Sequence, residues 1–100
     1  MLLKREILEA IKDNRIDLVF RRWTRPSVKP NGTLKTRLGT LRIGRMEAMS
    51  PEDVSDADAR RAGFADVDDF RRWLATMKAG HLFHRIEVSF PPEDEGEGTA

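Results

Sequence analysis

The apolar residues of this chain fall into short periodic runs separated by glycine, proline and asparagine. The first run has the spacing of one face of a helix and consists of Leu3, Ile7, Leu8 and Ile11. It predicts a helix over residues 3–13 that ends at Asn14, a residue that tolerates the left-handed backbone found at helix ends. Residues 17–23 follow with β-branched and aromatic side chains, which predict a first strand.

Alternation along this first strand places Arg21 and Arg22 on opposite faces, and neither face is wholly polar. One of the two arginines is therefore expected to point into a barrel or its mouth, where a guanidinium needs an anionic partner. Asp17 and Glu47 are the candidate partners within the chain. A phosphate group of a ligand is the alternative.

The middle of the chain predicts a loop and then paired strands. Residues 24–32 contain two prolines and end in Asn-Gly, which is typical of a loop. Between residues 33 and 49, apolar and polar positions alternate around Gly39, which predicts two strands or one long bent strand. Gly44 is a candidate β-bulge within this segment.

The second half of the chain predicts helices followed by a closing strand. Residues 50–53 have the composition of a helix start, and a helix is expected near residues 56–62. Asp66 opens a further helix, which Gly80 ends. The last strand covers residues 81–90, and its core face is expected to consist of Leu82, Ile86, Val88 and Phe90.

This order of elements differs from the alternation of strands and helices that builds a parallel sheet. It predicts an α+β fold, a small and partly open β-barrel of mostly antiparallel strands with about three flanking helices. We assign residues 1–90 to this domain. Residues 91–100 contain four acidic residues and, after two prolines, nothing apolar except the final alanine, so we expect a disordered acidic tail.

The composition indicates the cellular environment that we expect for the protein. The chain has 39% hydrophobic and 35% charged residues, which indicates a folded protein with a heavily charged surface. It contains no cysteine, which excludes disulfides and thiol chemistry and fits a reducing cytoplasm. No apolar run approaches the ~20 residues of a membrane span. We therefore expect a cytoplasmic protein without a membrane partner, with a monomer as the default.

The net charge of +1 hides a strong asymmetry along the chain. Residues 1–50 carry a net charge of +7, and residues 51–100 carry −6. Residues 15–45 contain nine basic residues and one acidic residue, and seven of the nine are arginines. Arginine binds phosphates and base edges through its planar fork, so this segment favours a nucleic-acid partner, RNA or a nucleotide. A solvated face of a highly charged protein is the alternative.

The candidate binding site centres on an aromatic residue between arginines. Trp23 offers a surface on which a base stacks, unless it packs into the core beneath the loop. The predicted nucleic-acid-binding residues are Arg21, Arg22, Trp23, Arg25, Lys29, Lys35 and Arg37. We expect no catalytic residue, no metal and no cofactor, since His81 and His84 fall on opposite faces of a strand and no cysteine completes a zinc site.

Four passages of the sequence resemble the ASCH domain, a branch of the PUA-like β-barrel superfamily. They are the amphipathic helix Glu6-Ile-Leu-Glu-Ala-Ile-Lys leading into Asn14-Arg15, the strand from Asp17 to Arg22, the segment Gly39-Thr-Leu-Arg-Ile-Gly, and the helix Asp56-Ala-Asp-Ala-Arg-Arg-Ala-Gly-Phe-Ala with a closing strand like Phe83-His-Arg-Ile-Glu-Val. Together they cover about residues 3–90. The resemblance, to the small single-domain bacterial type, implies a PUA-like barrel that binds RNA.

Some proteins of that family hydrolyse the amide of N-acetylated cytidine with a lysine, a threonine and a glutamate. The lysine and threonine positions are Ile16 and Val19 here, and the glutamate position falls near Ala62, whereas Arg21 takes the place of the family's strand arginine. Aliphatic side chains neither attack nor transfer protons. The sequence therefore favours an RNA-binding module over a small enzyme acting on RNA or a modified nucleoside. Binding of a basic protein by the acidic half is a third hypothesis.

Overall fold

The structure, a computed structural model, describes residues 3–77 and 80–91. Four antiparallel strands form a half-barrel sheet, and three α-helices accompany it, which confirms the predicted α+β fold with a partly open barrel. None of the helices in the described ranges is long and apolar enough to cross a membrane. In chain order the elements are α1 (Arg5–Lys12), β1 (Leu18–Trp23), β2 (Thr33–Thr36), β3 (Gly39–Ala48), a 3-10 turn (Pro51–Asp53), α2 (Asp56–Arg61), α3 (Val67–Ala75) and β4 (Leu82–Ser89).

The strands follow the order β1-β4-β3-β2 across the sheet, so β1 and β2 form its two edges. The last strand of the sequence, β4, lies in the middle of the sheet and joins β1 to the β2–β3 hairpin. The pairing of β3 with β4 shifts between Ile43 and Met46, which confirms the β-bulge predicted at Gly44.

Both faces of the sheet carry apolar side chains, and both are covered. On one face, α1 and the loop after β1 contribute Ile11 and Val28 to a buried cluster. On the other face, α2 and α3 cover a cluster in which the ring of Phe20 lies 5.0 Å from that of Phe70 and 5.6 Å from that of Phe83. Burying a side chain of this size contributes about 1.5–3 kcal/mol. These contacts fix both helical layers against the sheet.

Short-range signals in the sequence set the ends of the helices. Asn14 adopts the predicted left-handed conformation after α1, with a φ of 62°. Asp66 is the N-cap of α3, and its side chain accepts a hydrogen bond from the backbone N–H of Asp69. Ser55 caps α2 in the same way, by accepting from the N–H of Asp58.

One expectation about the second half of the chain was wrong in detail, since the last helix ends at Ala75 and does not extend to Gly80. The predicted core face of β4 is buried at Ile86 and Val88. Phe83 is buried on the opposite face, because helices cover the central strand on both sides. The disordered tail was predicted over residues 91–100, and all of these residues after residue 91 lie outside the described part of the chain.

A group of ion pairs ties α2 to the sheet. Arg85 of β4 has a side chain that is 14% exposed, and its Nε donates to Oδ2 of Asp58 in α2 at 2.9 Å. The Nη1 atom of Arg85 lies 3.3 Å from Oε1 of Glu47 and 3.4 Å from Oε2 of Glu87. The hydrogen bond from Arg85 lowers the pKa of the Asp58 carboxyl below its usual value. Folding therefore favours the ionised form of this carboxylate.

We expect Asp58→Asn to reduce the free energy of unfolding at pH 7 by roughly 1–3 kcal/mol, because a mostly buried guanidinium loses its principal charged partner. Since the pKa of Asp58 is lower in the folded state, its contribution is present above about pH 4 and is lost as the pH falls through the folded pKa. Urea unfolding at several pH values should show a smaller acid-induced loss of stability for the variant. The exposed Asp53 provides the matched control, and Asp53→Asn should leave both quantities nearly unchanged.

Candidate nucleic-acid interface

The two arginines at the end of β1 lie on opposite faces of the sheet. Arg21 is opposite His84 in the pairing with β4, and Arg22 is opposite Phe83. Phe83 belongs to the cluster covered by α2 and α3, so Arg22 is on that face and Arg21 is on the face covered by α1. Because β1 is an edge strand, both side chains lie where the two helical layers meet at the side of the sheet.

A cavity of about 410 Å³ opens beside Arg21, between α1 and the segment that contains α2 and α3. Arg21, Val19 and Ala62 line it, and Lys4 and Glu6 bring charged groups from the start of α1. Its volume is within the usual range of small-molecule sites, about 300–1,000 Å³. Its remaining walls are mostly apolar or aromatic and are formed by Leu3, Ile7, Gly63, Phe64, Trp73 and Met77.

The guanidinium of Arg21 is partly removed from water. Its Nη1 donates to the backbone carbonyl of the preceding residue at 2.8 Å, and burial lowers the pKa of Arg21 from its usual value. Of the two carboxylates expected as partners, Asp17 accepts a hydrogen bond from Nε of Arg61 at 2.9 Å. Glu47 is paired with Arg85 on the far side of β4. The cavity thus holds a cation in a partly apolar setting, where charge-assisted hydrogen bonds are strong.

Trp23 is half-buried, with its indole packed against the cluster under α1. Its Nε1–H donates to Nδ1 of His84 at 2.8 Å, so the neutral His84 ring carries its proton on Nε2. Gly80 lies against the backbone of Trp23, and a Cβ on Gly80 would come within 2.8 Å of the carbonyl carbon of Trp23. Trp23 therefore packs in large part into the core, which was the alternative to a base-stacking role. Its indole N–H is already hydrogen-bonded.

The loop after β1 crosses the sheet and carries two of the predicted site residues into solvent. Val28 is buried, and the backbone N–H of Asn31 donates to the carbonyl oxygen of Gly44 at 3.1 Å, which anchors the loop to β3. Arg25 and Lys29 are exposed on either side of the buried valine. Their positions leave both cations accessible to a polyanion.

Lys35 and Arg37 lie far from the end of β1. They belong to the β2–β3 hairpin at the opposite edge of the sheet, beyond the level at which Arg42 pairs with Ser89. Trp23 pairs with Leu82 at the other end of β4. Between Leu82 and Ser89, β4 spans about 23 Å at 3.3 Å per residue, and two strands separate the edges. The predicted residues are therefore dispersed, with Arg21, Arg22 and Trp23 at one corner of the sheet, Lys35 and Arg37 at the other, and Arg25 and Lys29 on the loop between them.

Arg22 lines a second and smaller depression, a cleft of about 230 Å³. Its other walls come from the 3-10 turn and from α3 and consist of Pro51, Glu52, Arg71 and Leu74. Arg71 was not among the residues singled out from the sequence. It belongs to a helix whose charges have ordinary helical spacing, and no local signal indicates that the sheet brings it to Arg22.

Comparisons with family models, with curated proteins and with solved structures give no significant match for this chain. The resemblance to the ASCH domain therefore remains a prediction from the residues. The structure does bring together the positions that this resemblance relates to the family's threonine, glutamate and arginine, because Val19, Ala62 and Arg21 line one cavity. Ile16, at the lysine position, is buried beside it.

The hydrogen bond between Trp23 and His84 gives a direct test of how the end of β1 is held. We expect His84→Phe to lower the free energy of unfolding by about 0.5–1.5 kcal/mol, since the half-buried indole N–H loses its acceptor. The tryptophan emission should also change, because the environment of Trp23 changes. The exposed His81 is the matched control, and His81→Phe should alter neither the urea midpoint nor the emission maximum. Equal effects of the two substitutions would contradict this role of His84.

Proposed function

We propose that this chain binds single-stranded RNA, with one base held in the cavity beside Arg21. The observation that carries the proposal is the position of the Arg21 guanidinium, on the wall of a cavity whose other walls are largely apolar and aromatic. Proteins that recognise RNA by sequence mostly bind unpaired bases through aromatic stacking and hydrogen bonds to base edges. The cavity offers both kinds of contact.

The aromatic side of the cavity is well ordered by its own packing. The rings of Phe64 and Trp73 lie 5.2 Å apart, and each also contacts Phe70 in the core. Both rings are half-buried, so part of each surface remains accessible from the cavity. Stacking of a base on an aromatic side chain contributes about 1–3 kcal/mol. In this proposal the base stacks on Trp73 and not, as predicted from the sequence, on Trp23.

Phosphates adjoining the bound base would contact the cations that follow β1. Arg25 is exposed just after the end of β1, whereas Lys29 is exposed where the loop is anchored to β3, so Arg25 is the nearer of the two to Arg21. Lys35 and Arg37 lie at the opposite edge of the sheet, so only an RNA that extends well beyond the cavity would contact them. The proposed RNA-binding surface thus includes fewer basic residues than the basic segment of the sequence, residues 15–45.

A hydrolytic enzyme acting on RNA or on a modified nucleoside is the alternative, and one observation favours it. Lys4 and Glu6 line the cavity and are its ionisable groups besides Arg21. The three positions related to the family's reacting groups are aliphatic, which favours binding without turnover. Incubation with N-acetylated cytidine and with labelled RNA distinguishes the two functions, and product formation that disappears in Glu6→Gln would support the enzyme.

We expect Arg21→Gln to weaken binding of a trinucleotide of single-stranded RNA at least tenfold, because hydrogen bonds to a charged group contribute about 1.5–3 kcal/mol. Fluorescence anisotropy with labelled RNA measures the affinity, and thermal unfolding of the same sample shows whether the variant is folded. Lys35→Gln removes a charge at the distant corner and should change the affinity less than twofold.

Two further readouts keep this test independent of the stability of Arg21→Gln. In the unchanged protein, nuclear magnetic resonance titration with the RNA should shift the signals of Trp73 and Phe64 and leave that of Lys35 in place. The logarithm of the affinity should fall with the logarithm of the salt concentration, by about 0.7 for each phosphate contacted. A salt-independent affinity, or shifts confined to the β2–β3 hairpin, would refute the proposed site.

A further inference from the structure

The cleft beside Arg22 brings together two arginines from distant parts of the chain. Arg22 is on β1 and Arg71 is on α3, and both line the same depression of about 230 Å³. Pro51 and Leu74 form apolar walls, and Glu52 is the one acidic residue in the lining. Two guanidiniums that line one depression favour an anion between them, since an opposite charge stabilises both.

Two carboxylates lie near the two arginines of this cleft, and neither of them pairs with Arg22. Within the described part of the chain, Arg22 takes part in no ion pair and Glu52 has no basic partner within 4.0 Å. Arg71 has one ion pair there, in which its Nη1 lies 3.9 Å from Asp68 on the exposed surface of α3. Arg85 shows the contrast, since it is held by three carboxylates. The cleft therefore has the composition of an anion site.

The cleft and the cavity are neighbours across the contact between β1 and α3. Arg21 lines the cavity and Arg22 lines the cleft, and these residues are consecutive in β1. Trp73 lines the cavity and Leu74 lines the cleft, and these are consecutive in α3. Arg21 and Arg22 leave the edge strand on opposite faces, so a ligand that occupies both depressions passes around the open side of β1.

We infer that Arg22 and Arg71 bind a phosphodiester group of the strand whose base occupies the cavity. This inference rests on the proposed function and specifies its ligand as an oligonucleotide, because a nucleoside has no phosphate to place there. The planar forks of two arginines match the oxygens of a phosphodiester. Glu52 opposes the bound anion and weakens the site.

The test compares nucleosides with dinucleoside monophosphates, which add one phosphodiester. Binding of UpU, CpC, ApA and GpG and of the four nucleosides is measured by nuclear magnetic resonance titration of the intact protein, including the arginine Nε–H signals. We expect the best dinucleoside monophosphate to bind about tenfold more tightly than its nucleoside and to shift the signals of Arg22 and Arg71. Inorganic phosphate serves as the probe for a site that takes any free anion.

Arg71→Gln should remove about tenfold of the affinity for the dinucleoside monophosphate and leave that for the nucleoside unchanged. Arg72→Gln is the matched control, because Arg72 is the next residue of α3, is 72% exposed, lies 3.5 Å from Asp69 and lines neither depression. Glu52→Gln should strengthen dinucleoside binding by about two- to fivefold, since it removes a repelling charge from the exposed edge of the site.

The outcomes separate the two proposals. If nucleosides bind in the cavity but Arg71→Gln and Arg72→Gln have equal effects on the dinucleoside, the phosphodiester site is refuted and the base site stands. If inorganic phosphate shifts Arg22 and Arg71 at the same concentrations as the dinucleoside does, the cleft is a free-anion site and the inference is also refuted. If neither nucleosides nor dinucleosides bind, both proposals fail.

Discussion

The first half of β1 has buried side chains on both of its faces, and this requires a layer of helix on each side of the sheet. Leu18 and Phe20 face α2 and α3, whereas Val19 belongs to the cluster under α1. The second half of the same strand replaces these side chains with Arg21 and Arg22. The two layers therefore approach each other around an edge strand whose end cannot be fully buried. The cavity and the cleft are the two gaps that this arrangement leaves.

The same arrangement divides the arginines of the protein into two kinds. Arg85 lies on a central strand, where burial against α2 is tolerated because Asp58 and two glutamates surround it. At the edge of the sheet, Arg22 and Arg71 share a space with a single carboxylate. Many acidic residues of the second half of the chain thus neutralise structural cations and helix ends. This use of the acids weakens the hypothesis that they form one surface for a basic protein.

The sequence predicted those features that depend on neighbouring residues. The capping role of Asp66, the left-handed Asn14 and the bulge at Gly44 follow from local backbone preferences, and together with the strand patterns they define the fold class. The composition of the site depends instead on sheet order. Lys35 is close in sequence to Arg21, but β4 and β3 lie between their strands. Arg71 is distant in sequence, and it meets Arg22 because α3 packs under the end of β1, a contact that periodicity does not encode.

A high density of charge along a sequence is therefore a poor measure of a high density of charge in space. The nine basic residues of the segment from 15 to 45 are distributed over three strands and the segments that connect them, and some are paired, such as Arg15 with Asp13 at 3.3 Å. What distinguishes a cation with a binding role is its surroundings, which at the end of β1 are partial burial and apolar or aromatic walls. By that criterion the site proposed at the end of β1 is small, and the proposal gives it one base and one or two phosphates. Its affinity for RNA would then come mainly from stacking and directed hydrogen bonds, and long-range attraction to the polyanion would contribute little.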